Sequence, residues 1–119
     1  MSILKDKSFA FAVEIVKLYK HSTEAKKEFI LSKQLLRSGT SIGALIREAQ
    51  NAESKLDFIH KLAIAQKECD ETVYWLELVK ETNYITLKEY ESIHPEAIAL
   101  LKMIRSSILT MRKNITHNS

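Results

Sequence analysis

Residues 35–49 read LLRSGTSIGALIREA. The only two glycines of the chain, Gly39 and Gly43, lie in this stretch, four residues apart and interleaved with Ser38, Thr40 and Ser41. A glycine inside a helix costs about 1 kcal/mol relative to alanine. The stretch is therefore either a loop that cradles a ligand or a helix with a reason to be thin. The flanking pattern decides for the helix. Leu31, Leu35, Ser38, Ile42, Leu45 and Ala49 step by four and three along one stripe, and the phase runs through the glycines unbroken. A second stripe, Ser32, Leu36, Gly39, Gly43 and Ile46, runs beside it. Small residues at this spacing let another helix backbone come close, as is best described in membranes.

The phosphate-loop alternative fails on chemistry. Such a loop needs G-x-x-x-x-G-K-[ST] after a strand, so that backbone amides and the lysine converge on phosphates. Here three residues separate the glycines and no Lys-Ser/Thr follows.

Three more amphipathic segments surround this helix. The first is expected over about 6–21, with Phe9, Ala12, Val13, Val16 and Tyr19 as its core stripe and Phe11, Ile15 and Leu18 on a flank. HSTEAKKE (21–28) is the polar connector to the second, over about 29–51. The third, over about 54–81, opens on Ser54 with Asp57 and carries Phe58, Leu62, Ala65, Cys69, Thr72 or Val73, Leu76 and Val79, with Trp75 and Leu78 beside them. ETNYI (81–85) is a turn. The fourth, over about 86–114, starts with the capping box formed by Thr86 and Glu89 and continues through Ala97, Leu101, Ile104, Ile108, Met111 and Ile115. Pro95 is expected to kink it or split off its first two turns. Long helices with short connectors predict one all-α domain, an antiparallel up-down-up-down four-helix bundle. A single proline among 119 residues agrees with few tight turns.

Composition narrows function by exclusion. No apolar run reaches the length of a membrane span, and the first twenty residues hold no signal-peptide core, so a cytoplasmic protein is expected. Cys69 is the sole cysteine, which fits a reducing compartment. No histidine stands three or four residues from another histidine or from Cys69. Glu91-x-x-His94 and Asp57-x-x-His60 make a poor di-metal pair, because His60 points away from its stripe. No catalytic group, metal or cofactor is expected. The carboxylates Glu68, Asp70 and Glu71 read as a solvated face.

Charge is blocked along the chain. Residues 1–48 sum to +4, residues 49–96 to −5, and residues 97–119 to +4 with no acid among them. Basic blocks can offer phosphate contacts, and Arg37, Arg47, Lys102, Arg105, Arg112 and Lys113 are the candidates. The second helix also carries more apolar and small surface than one core stripe needs. Gly39, Gly43, Ile46, Trp75 and Leu78 are therefore candidates for close helix packing or a subunit interface.

Residues 34–79 carry a resemblance. Gln34-Leu35-Leu36-Arg37, Thr40-Ser41-Ile42-Gly43-Ala44, Glu48-Ala49, Asp57-Phe58, Ile64-Ala65 and Glu71 with Trp75-Leu76 resemble the family of four-helix proteins encoded in 23S rRNA intervening sequences. One departure is Leu45, where many members carry asparagine. The resemblance implies a small bacterial bundle that assembles as a homopentamer. It also implies similarity to the accessory variability protein of diversity-generating retroelements, a basic pentamer that binds nucleic acid and a reverse transcriptase. The resulting expectation is a non-enzymatic homo-oligomer that contacts structured RNA or DNA. The competing expectation is a scaffold for a protein partner, with no nucleic acid and no membrane involved.

Overall fold

The computed structural model describes residues 2–118, and side chains for residues 3–116. Four helices account for nearly all of it: α1 (Ser2–Ala25), α2 (Ile30–Gln50), α3 (Lys55–Glu81) and α4 (Leu87–Asn118). There is no strand among the described residues. Successive helices run antiparallel. Gly39 of α2 meets Ile15 of α1, while Gly43, one turn later, meets Ser8, one to two turns earlier. Each helix packs along the next one in sequence, and α1 closes back onto α4 through a much thinner contact. The result is a rod with extents of 54 × 21 × 20 Å.

Local chemistry sets the ends. Thr86 and Glu89 form the reciprocal box: Glu89 N–H donates to Thr86 Oγ1 at 3.0 Å, and Thr86 N–H donates to Glu89 Oε1 at 2.8 Å. Ser54 Oγ accepts from Asp57 N–H at 3.0 Å, whereas the Asp57 carboxylate reaches Glu53 N–H instead of the cap residue itself. α2 begins under a cap that its sequence hid. Glu28 is buried, and its carboxylate accepts from Leu31 N–H. The turn after α3 uses Asn83 at φ 65°, a left-handed position that asparagine tolerates, and folds Tyr84 N–H back onto Val79 C=O.

Three expectations change. The core face of α1 is Leu4, Ser8, Phe11, Ile15, Leu18 and Ser22, while Phe9 and Val13 are exposed. The flank, not the expected stripe, is the buried one. Both stripes are comparably apolar, so periodicity could not choose between them. The thin side of α2 chooses, because it accepts Ser8 and Ile15. α1 also continues through His21–Ala25, so the connector is shorter than its polar composition suggested. Pro95 does not divide α4, which runs as one helix on both sides of it. Pro95 faces solvent, while Ile93 and Ala97 on either side are buried and hold the two parts on the same core.

The core is one cluster running the length of the rod. Ile42, Ile46, Leu62, Ala65, Cys69, Leu76, Ala97 and Ile104 are fully buried within it. Cys69 donates its S–H to Ala97 C=O at 3.3 Å, and burial first, then the field of Asp70, pushes its thiol pKa up to about 12. It is a packing residue and not a nucleophile.

Candidate nucleic-acid interface

The apolar surplus on α2 is consumed inside the chain. Gly39 is buried, and a Cβ built on it would lie 2.8 Å from Ile15 Cγ1. A Cβ on Gly43 would lie 3.3 Å from the backbone oxygen of Ser8. Ile46 is fully buried. The second stripe of α2 therefore meets the Ser8–Ile15 face of α1 within the monomer. Trp75 and Leu78 are half-buried on α3, and the Trp75 indole N–H donates to Glu71 Oε1 at 3.1 Å.

The six candidate cations fall into two groups. Arg37 reaches from α2 across to α3, where its two terminal nitrogens bond Glu68 at 3.1 Å and Glu71. The hydrogen bond to Glu71 raises its pKa, aided by the field of Glu68. Glu71 is held below its usual range first by the Trp75 indole and then by Arg37. The carboxylates read as a plain solvated face thus include half of an inter-helix clamp. Arg47 lies over the ring of Phe9 at 5.2 Å, linking α2 to α1. Arg105 sits 3.9 Å from Asp70 across the α3–α4 seam, with both side chains half-exposed.

Lys102, Arg112 and Lys113 form the second group. All three are exposed and make no ion pair within 4 Å among the described residues. Lys102 stands with Met103, Ser106 and Ser107 beside Ile3 and Leu4 of α1. α4 is eight residues longer than α1, with 32 against 24, so its part after Ser107 extends past the first turn of α1. That overhang carries Arg112 and Lys113. At its side stands the start of α3, where Phe58 and Met111 line one groove and Lys55 is exposed. The opposite end of the rod is acidic on the α3–α4 side, with Glu77, Glu81, Glu89, Glu91 and Glu96.

No group of three or more metal-ligating side chains is assembled among the described residues. His21 and Glu89 face each other at 3.7 Å between α1 and α4, beside Lys17 and Lys88 in an open groove. No described helix is long and apolar enough to cross a membrane.

The bundle places the family-marking Leu35, Ile42, Ala49, Ala65 and Leu76 in the core, Gly43 against α1, and Arg37, Glu71 and Trp75 in one linkage between α2 and α3. The 23S rRNA-intervening sequence protein family matches residues 2–106. The chain belongs to that family. A solved structure from Bacteroides thetaiotaomicron, described as a protein of unknown function from the S23 ribosomal protein family, is 57% identical. Its similarity covers 88% of this chain and 97% of that one, with a TM-score of 0.87. No curated protein is detectably similar to this chain. Neither the family's description nor the neighbour's names a catalytic activity. The family match ends at Arg105 and Ser106, so Arg112 and Lys113 lie beyond it.

Proposed function

We propose that this chain is a non-enzymatic, cytoplasmic, homo-oligomeric nucleic-acid-binding protein that contacts structured RNA or DNA through basic patches. The observation that carries this reading is the charge of the later part of α4: four cations and no acid over residues 97–119, with Lys102, Arg112 and Lys113 unpaired among the described residues. Each phosphate neutralised would release condensed counterions, giving sequence-tolerant, salt-sensitive binding. The family's association with rRNA intervening sequences supports it. So does the resemblance to the accessory variability protein, which would make the assembly a pentamer and repeat the patch five times.

Exposed Ile3, Phe9, Phe29, Ile30 and Leu109 favour a second reading, a scaffold that recruits another protein. Two measurements separate the readings. Native mass together with the ultraviolet absorbance ratio reports assembly and bound nucleic acid. Titration with an RNA hairpin at rising salt reports the phosphate contacts. The nucleic-acid reading expects affinity that falls steeply with salt. No binding at low salt, or binding indifferent to salt, would overturn it. Co-purification of a stoichiometric protein without nuclease-sensitive material would support the scaffold.

A further inference from the structure

We infer that the nucleic-acid contact is the basic stripe along the second half of α4, and that it grips the phosphate backbone of a duplex and not unstacked bases. This rests on the nucleic-acid reading above.

Helix geometry gathers the cations. At 100° per residue, Lys102 and Lys113 are about 20° apart around the axis, and Arg105 and Arg112 are about 20° apart from each other. All four fall within a stripe roughly 100° wide and about 16 Å long. Exposed Leu109 lies inside that stripe, so it faces solvent and not the core. Arg105 keeps only a long contact to Asp70 at half exposure, which leaves it able to turn outward.

Lys102 and Arg105 are not explained by the needs of the helix. Positive charge stabilises the C-terminal end of a helix, but that effect fades beyond the last turn. Lys102 and Arg105 sit three or more turns from the end of α4.

The aromatics argue against base stacking. Single-strand binders offer ring faces on which bases stack. At this end of the rod, Phe58 is half-buried, and the half-exposed Phe9 ring turns one face to the Arg47 guanidinium. The Tyr74–Trp75 pair and the Tyr90–His94 stack lie on the later turns of α3 and the early turns of α4, away from the stripe. A row of cations with no aromatic ring between Lys102 and Lys113 suits a backbone whose phosphates are held at fixed spacing.

Three proteins test this: the wild type, Lys102→Ala/Arg112→Ala/Lys113→Ala, and Lys20→Ala/Lys26→Ala/Lys33→Ala. The last removes equal charge from exposed positions at the opposite end. Each is titrated with a blunt RNA duplex, the DNA duplex of the same sequence, and poly(U), at several salt concentrations. Circular dichroism and native mass confirm that both variants keep fold and assembly. The wild type is expected to bind at least one duplex ahead of poly(U). The α4 variant is expected to lose roughly a hundredfold at 0.15 M salt and to show a salt slope smaller by two to three, at a slope of about −0.9 per phosphate contact. The opposite-end variant is expected to lose less than about a tenth of that effect. Equal loss in the two variants overturns the location while leaving the nucleic-acid reading standing. Poly(U) bound ahead of both duplexes overturns the backbone claim. Failure of every probe at low salt removes the functional reading itself, and capture of an acidic protein by the same stripe would then reassign it.

Discussion

Replacing Gly39 by alanine sets two effects of known size against each other. Alanine removes the helix penalty of glycine, a gain of about 1 kcal/mol. The new Cβ would stand 2.8, 3.0 and 3.1 Å from Cγ1, Cγ2 and Cδ1 of Ile15. Ile15 is fully buried and has nowhere to retreat, and overpacking of this kind costs roughly 1–3 kcal/mol. Gly39→Ala is therefore expected to destabilise by about 0–2 kcal/mol despite its better propensity. Truncating the obstacle reverses the sign. Ile15→Ala alone is expected to cost about 2–5 kcal/mol. In that background Gly39→Ala is expected to stabilise by up to about 1 kcal/mol, because the propensity gain remains and the clash is gone. Urea unfolding of the four proteins of this double-mutant cycle, followed by far-ultraviolet circular dichroism at fixed protein concentration, reads the coupling. A coupling of about 1–3 kcal/mol is expected. If Gly39→Ala stabilises the wild type as much as it stabilises Ile15→Ala, the close approach of α1 is not what selects the glycine.

The Arg37–Glu71–Trp75 linkage should be visible in pH dependence. Glu71 has a lowered pKa in the fold, so its contribution is present above the unfolded carboxyl pKa and is lost as pH falls through the folded one. Glu71→Gln should lower the melting temperature near neutral pH, by an interaction worth at most about 1 kcal/mol at this exposure, and converge on the wild type as pH falls through the lowered Glu71 pKa; an equal difference at neutral and acid pH would refute the pairing. Thr86→Ala removes the acceptor of the capping box and should cost about 1 kcal/mol in urea unfolding, with no change in m-value. Cys69 should resist a thiol-specific disulfide reagent in the native protein and react only as fast as the chain opens, since it is fully buried with its thiol pKa pushed to about 12. Rapid stoichiometric labelling without denaturant would contradict that burial.

The sequence made the bundle readable because several local signals agreed. The Thr86–Glu89 box, the unbroken four-three stepping from Leu31 to Ala49, and the scarcity of turn residues all pointed to long helices. What it left open was decided by contacts between helices. In α1, Phe9–Val13 and Phe11–Ile15 are equally good core candidates until the position of Gly39 is known. Glu28 is not a standard cap residue, and only its burial shows that it closes the start of α2. The basic blocks were visible as composition, but the engagement of Arg37 with Glu68 and Glu71 spans more than thirty residues and has no local signature. The same limit hid the freedom of Lys102, Arg112 and Lys113, which depends on how far α4 outreaches α1.

The thin closure between α1 and α4 bears on how the chain reaches this structure. Nearly all packing joins helices that are consecutive in sequence, and the two most distant ones share the least. Little loop entropy must be spent before the first contacts form, which places this topology among the fast folders. The α2–α3 hairpin, tied by Arg37 and filled by Ile42, Ile46 and Leu62, needs only a short connector to close. α1 can then dock its Ser8–Ile15 face on the glycine side of a hairpin that already exists. The glycines thus lie at the step where α1 joins that hairpin, and their smallness sets how easily that docking completes.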